Sequence, residues 1–247
     1  MNKLIPAARA LKKGLLRIWR QLGLHSKLCT YRAKEMQQGQ FKVILGGHWS
    51  KNPGWLILDE IDQDITKPLV FPSSSVDVIF TEHVIEHINL TDGIHFLHEA
   101  KRVLKPGGVL RIVSPMTERI LSATFEAEND QAYIQNCLIN QTYPNEHRLL
   151  TGLGLRGIYE APQVFMLNSL FREHSHQFIW SAQLMVKVLL ALGYSEAKIR
   201  SIGEGRNPDY CIERRQRGLH LVTDWRENLN LNKPTYDIES VVVEAIK

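Results

Sequence analysis

Between residues 41 and 115 the chain sets short apolar runs between polar or glycine-containing breaks. Val43 to Leu45, Leu56 to Leu58 and Val76 to Phe80 read as buried strands, and each ends at Gly, Asp or polar residues. Leu90 to Leu104 reads as a helix, which Lys105-Pro106-Gly107-Gly108 breaks and turns into a further strand, Val109 to Val113. Strands with crossovers between them predict an open α/β sheet, and such sheets hold ligands at the carboxyl ends of their strands. Later in the chain Ser181 to Leu192 predicts another helix.

Residues 3 to 22 carry the opposite kind of pattern. Leu4, Ala8, Leu11, Leu15, Ile18, Trp19 and Leu22 recur every three or four residues and share one helical face, with Arg9, Lys13, Arg17 and Arg20 on the other. Three readings stay open for this arm, the last of them nucleic acid, which no aromatic interleaving or RNA-binding signature supports. The apolar stripe packs on the domain or covers its ligand site, or the helix lies on an anionic membrane, where each basic residue adds about 1 kcal/mol. Lys and Arg interrupt every candidate apolar core, so neither a cleaved signal nor a membrane span is expected.

Charge sharpens the division. The net charge is +4, yet nine Lys and Arg residues precede Glu35, the first acid, leaving 21 basic against 26 acidic residues in the remainder. The expected organisation is a basic arm over residues 1–40 and one domain over 41–247, with a poorly matched stretch at about 116–180 that would build a substrate pocket. An acidic body argues against nucleic acid as a partner. Cys29, Cys137 and Cys211 are odd in number and widely spaced, which supports neither a disulfide framework nor a Cys-x-x-Cys metal site, and points to a cytoplasmic setting.

Candidate chemistry gathers at the ends of the predicted strands. At Gly46-Gly47-His48 the first strand turns, and glycine lets backbone approach a ligand closely. Asp59, with Glu60 as its near competitor, follows the second strand, and Asp64-Ile65 comes five residues later. Taken alone, each acid is a turn or cap residue. Asp77 begins the third strand in a structural position, and Glu82-His83 ends it.

Taken together, FKVILGGHW, GWLILDEIDQD, TEHVIEHI and RVLKPGG resemble the class I S-adenosylmethionine-dependent methyltransferases, in particular a compact bacterial branch. The resemblance is strongest over residues 41 to 115. It implies a Rossmann-like doubly wound sheet with an antiparallel final strand, and makes Lys198 to Ile202 and Glu239 to Ala245 the last strands. Only Gly47 to Gly54 separate the first two strands, and the Asp59 to Asp64 connection is shorter still. The usual third strand and its helix are therefore expected to be missing, which trims one flank of the sheet.

For the site, the resemblance implies S-adenosylmethionine as cofactor. Gly46, Gly47 and His48 would lie along its amino acid end, Asp59 on the ribose hydroxyls, Asp64 and the Ile65 backbone N–H at the adenine, and Glu82 and His83 facing the cofactor. His48 stands where the family usually has a second glycine. That departure keeps open a catalytically inactive binding module.

Methyl transfer from a sulfonium requires chiefly an in-line nucleophile at about 3 to 3.5 Å, with no metal. A hydroxyl acceptor also needs a base, and His83, His147, His174 and His176 are candidates, His83 first by position and His176 with it. This branch is often found in bacterial envelope-glycan biosynthesis, so a saccharide, a lipid-linked saccharide or a small metabolite is the expected acceptor. Arg214, Arg215 and Arg217 form a basic loop that would suit an anionic acceptor group. One rival comes from another class: His83-x-x-Glu86-His87 also satisfies the H-x-x-E-H signature of zinc peptidases, which requires both histidines on one helical face.

Overall fold

The computed structural model describes residues 23, 27, 39–46, 52–122, 131, 133–173, 175–213 and 240–247. The helix expected at 3 to 22, Gly47, His48, His174 and the Arg214, Arg215 and Arg217 loop lie outside the described residues.

Six strands form one sheet in the order β2-β1-β3-β4-β6-β5. They are β1 (Lys42–Leu45), β2 (Leu56–Leu58), β3 (Val76–Glu82), β4 (Leu104–Pro115), β5 (Glu196–Arg200) and β6 (Ser240–Ile246). The first four are mutually parallel, and β6 runs antiparallel between β4 and β5. The chain leaves β1 for β2 on one side and returns to β3 on the other, so the order reverses between β1 and β3. The short connections read from the sequence leave β2 as the edge, and the expected flank is indeed trimmed.

Alternation along the strands divides the core between two faces. Val43, Leu45, Leu110, Ile112, Val243 and Ala245 face one side with α1 (Leu90–Val103) and α5 (Ala182–Ala191). On α1, Phe96, Leu97, Ala100 and Val103 recur at helical spacing and are buried, and full burial of Phe96 or Leu97 contributes roughly 1.5 to 3 kcal/mol each. Ile44, Val78, Phe80, Val109, Val113 and Val242 face the other side, where Trp55, Tyr210 and Ile212 cover them. Both faces are covered, so β3 is buried almost throughout, as a central parallel strand should be.

Two boundaries differ from the sequence reading. Lys105 to Gly108 lie inside β4 as a register irregularity, because the Gly107 N–H donates to the Lys247 carbonyl (2.9 Å) and the Gly108 carbonyl accepts from the Lys247 N–H (3.0 Å). The fifth strand is Glu196–Arg200, two residues earlier than expected, fixed by its pairing with β6. Asp77 is structural as read: it accepts from the Phe41 N–H (2.7 Å) and the Lys105 ammonium (2.7 Å).

Between β4 and α5 the described residues form helices with a core of their own. These are α2 (Thr117–Ser122), a π-helical stretch at Ile134–Thr142, α3 (Pro144–Gly152) and α4 (Pro162–Glu173), around Ile134, Leu138, Ile158, Met166 and Leu170. Glu118 on α2 ties this layer to the sheet by receiving Ser181 Oγ (2.5 Å) and the N–H groups of Ala182 (2.9 Å) and Gln183 (3.2 Å) at the start of α5.

Burial pushes the Glu118 carboxyl up, but those hydrogen bonds outweigh it and hold its pKa below the usual range. A lowered folded-state pKa contributes stability that is complete above the unfolded value, about 4.3, and lost as the pH falls through the folded one. Glu118→Gln should therefore cost about 1 to 2 kcal/mol at neutral pH. In urea melts the gap to the parent should close as the pH drops below about 4; a gap independent of pH would show that the charge plays no part.

Buried between β4 and β6 is an ion triad on the second face. Arg111 stands opposite Glu244 in the strand register. Its guanidinium donates to Glu213 twice (Nη2 to Oε1 2.6 Å, Nε to Oε2 3.2 Å) and to Glu244 Oε2 (3.1 Å), and all three side chains are essentially inaccessible. Burial works against the arginine charge, but Glu213 and Glu244 outweigh it and raise the pKa.

Candidate active site

The carboxyl ends of β1, β2 and β3 meet at the switch in strand order. The Gly46 N–H donates to the Leu58 carbonyl (2.8 Å), which brings the turn after β1 beside Asp59. Thr81 pairs with Leu45, so Glu82 and Gly46 leave their strands at the same level. Gly46 has φ +81°, and a Cβ there would overlap the Val84 side chain. Glycine at this position thus admits Val84 against the turn as well as permitting the left-handed backbone.

Asp59 is half-buried. Its Oδ1 accepts from the N–H groups of Ile61 (2.8 Å) and Asp62 (3.1 Å), an Asx turn of the kind expected of an acid read alone. Asp62 in turn is ion-paired with Lys27, one described contact between the N-terminal arm and this edge of the domain. Asp64 is exposed and accepts from the Thr66 N–H (2.9 Å) and hydroxyl (2.7 Å), while the Ile65 side chain enters the core. Glu82 is buried at the end of β3.

His83 follows at φ +53°, its N–H held by the Val113 carbonyl (2.9 Å). Both ring nitrogens are engaged: Nε2 lies 2.8 Å from Ser240 Oγ, and Nδ1 lies 3.3 Å from Glu86 Oε1. Glu86 is fully buried, and its Oε2 accepts from Ser114 Oγ (3.0 Å). Burial alone would push its carboxyl up; the hydrogen bond and charge of His83, with the charge of His176, hold it lowered.

His176 belongs to this cluster and not to the glycine turn. It is buried, and its ring makes an edge-to-face contact with that of His87 at 4.6 Å between centroids. His147 is engaged elsewhere, with Nδ1 accepting from the Ile158 N–H (3.2 Å) within the helical insertion.

The structure therefore assembles Gly46, Asp59, Glu82 and His83 at one end of the sheet, and His83 and His176 around Glu86. Sequence reasoning missed Glu86 as the hub. The signal was in plain view, an acid three residues after His83, but was weighed only as part of H-x-x-E-H. His83 lies outside any helix with a positive φ, and Ile85–His87 is a single 3-10 turn, so the two histidines of that signature do not share a helical face.

Residues 33–112 match the model of a methyltransferase domain family. A comparison with curated proteins gave no match. Among solved structures, the chain is similar to an S-adenosylmethionine-dependent methyltransferase from Archaeoglobus fulgidus, with 13% identity over 92% of this chain and 94% of that one and a TM-score of 0.39. It is also similar to such an enzyme from Thermotoga maritima (14% identity, 95% and 97% covered, TM-score 0.40). A third is a phosphoethanolamine N-methyltransferase from Haemonchus contortus in complex with S-adenosyl-L-methionine (13% identity, 85% of this chain, TM-score 0.38), of which this chain spans 49%.

Proposed function

We propose that this chain transfers a methyl group from S-adenosylmethionine to a hydroxyl of a saccharide, a lipid-linked saccharide or a small metabolite. The observation that carries the cofactor reading is the meeting of Gly46 and Asp59 at the switch point of a sheet whose first four strands are parallel, within the segment that matches the methyltransferase domain model. An inactive binding module and a zinc peptidase have less support, the latter because its signature is not on a helix.

In this reading the turn at Gly46, with Gly47 and His48, carries the amino acid end of the cofactor, and Asp59 binds the ribose. Asp64 and the Ile65 backbone take the adenine, and Glu82 borders the methyl-transfer end. The cofactor supplies an activated methyl whose leaving group is neutral, so the protein's work is alignment and removal of the acceptor proton. His83 is the proposed acceptor of that proton. A hydroxyl, that of Ser240, already lies at its Nε2, and Glu86 behind it fixes the ring.

The helical insertion would border the acceptor, with the basic loop at Arg214, Arg215 and Arg217 binding an anionic group on it. Lys27 at Asp62 supports the arm as a cover on the domain edge over the membrane alternative. Among the described residues no helix is long and apolar enough to cross a membrane. A cytoplasmic setting remains part of the proposal.

Asp59→Asn tests the cofactor site more cleanly than alanine, because asparagine keeps the Oδ1 that the Ile61 and Asp62 N–H groups require. Loss of a charge-assisted hydrogen bond of about 1.5 to 3 kcal/mol should weaken S-adenosylmethionine binding by tenfold or more at unchanged melting temperature. Unchanged affinity in calorimetric titration would move the ribose contact to Glu60.

A further inference from the structure

A buried carboxylate with no strong cation beside it needs explaining. Glu86 is fully buried, and among the described residues its ion-pair contact is with His83, with no lysine or arginine paired to it. Glu213, also fully buried, has Arg111 against it. Beside Glu86 stand His87 and His176, and one ligand atom of each of the three lies within 4.8 Å of the others.

We propose that Glu86, His87 and His176 form a binding site for a divalent transition metal, with zinc the ion their chemistry fits. Two imidazoles and one carboxylate are a donor set that zinc takes with a fourth position left open. This is not the peptidase set, since His83 is behind the carboxylate and is not a ligand. Zinc bonds of about 2.0 to 2.1 Å place tetrahedral ligand atoms roughly 3.3 Å apart. Closing on the ion thus asks for shifts of at most about 1.5 Å, within reach of a rotation of exposed His87. A divalent cation also supplies compensating charge for the buried carboxylate.

The frame is fixed without the metal. The Glu86 carbonyl accepts from the N–H groups of Gln177 (2.8 Å) and Phe178 (3.2 Å), and Gln177 Nε2 donates to the His87 carbonyl (2.8 Å). These bonds hold residues far apart in sequence in one place. The carboxylate has the outer partners that ligating carboxylates have, Ser114 Oγ on one oxygen and His83 on the other. His87 opens the site to solvent and gives the ion a way in.

The test is calorimetric zinc titration of the full, tag-free chain after chelator treatment. One zinc per chain should bind, with affinity falling by about tenfold or more in His87→Ala and in His176→Gln. Cobalt(II) in place of zinc should give an intense tetrahedral absorption band that His87→Ala removes. No saturable binding, or zinc affinity unchanged in His87→Ala, would overturn the site. His87 is exposed, so this variant decides the question even where His176→Gln fails to fold. S-adenosylmethionine binding should be the same in the parent and in His87→Ala. A failure of the methyltransferase reading would show as absent cofactor binding with zinc binding intact, and is thereby distinguished from a failure of this one.

Discussion

Replacing Arg111 by Met should destabilise the protein by about 3 to 5 kcal/mol, the cost of breaking a buried ion pair by removing one partner. Two carboxylates would be left in the core without the guanidinium that bridges them, Glu213 with no other cation paired to it among the described residues and Glu244 with only Arg200 Nε, 3.6 Å from its Oε1. Glu213 would keep the Gly203 N–H (2.5 Å), and Glu244 the Arg206 N–H (3.0 Å), and neither offsets a buried negative charge. Against a total stability of about 5 to 15 kcal/mol such a loss is large. For a chain of this size it should lower the melting temperature by roughly 6 to 20 °C. The triple variant Arg111→Met, Glu213→Gln, Glu244→Gln should recover much of the loss, because it removes the stranded charges together with their partner. A single variant within about 1 kcal/mol of the parent in denaturant melts would mean that water reaches the triad.

Gly46→Ala should have the second largest effect, on both stability and cofactor binding. The substitution meets two obstacles at once: φ +81° costs an L-residue about 1 to 2 kcal/mol, and the new methyl overlaps Val84. Overpacking of that kind adds about 1 to 3 kcal/mol. Relief by pushing the turn outward would move it relative to Asp59, which the Gly46 N–H to Leu58 carbonyl bond holds beside it. S-adenosylmethionine affinity should fall by about a hundredfold or more, as expected for about 3 kcal/mol. Adding Val84→Ala should restore the melting temperature in part by opening the space, while the backbone penalty stays. Parent-like affinity in Gly46→Ala would remove this turn from the cofactor site.

How far these features were legible depended on how local their causes are. The β1, β2 and β3 runs and the α1 helix follow from apolar periodicity and from Gly, Pro and Asp punctuation within a few residues, whereas the final β6 strand was implied by the family resemblance. Asp77 was read as structural from its place at the start of β3, although its partners Phe41 and Lys105 lie 36 and 28 residues away. Asp59 was legible as a turn residue: its side chain makes the local turn that an aspartate after a strand favours.

Arg111 was not legible. In LRIVSP it reads as one polar residue in a strand, and its partners are 102 and 133 residues away. Glu86 was hidden similarly, because its burial follows from the strap at Gln177 and Phe178 and from Ser114 on β4, none of them near it in sequence.

The sequence by itself determined the first strands, the helices α1 and α5 and the short connections that trim one flank, because hydrophobic period and turn preference act over a few residues; the helices between β4 and α5 were not read from it. Only the tertiary structure decided which charges share the core, that His83 and His176 converge on Glu86, and that the KPGG segment is anchored by the C-terminal Lys247. Those outcomes depend on long-range strand register and on desolvation, and desolvation is fixed only when distant segments close over the same group.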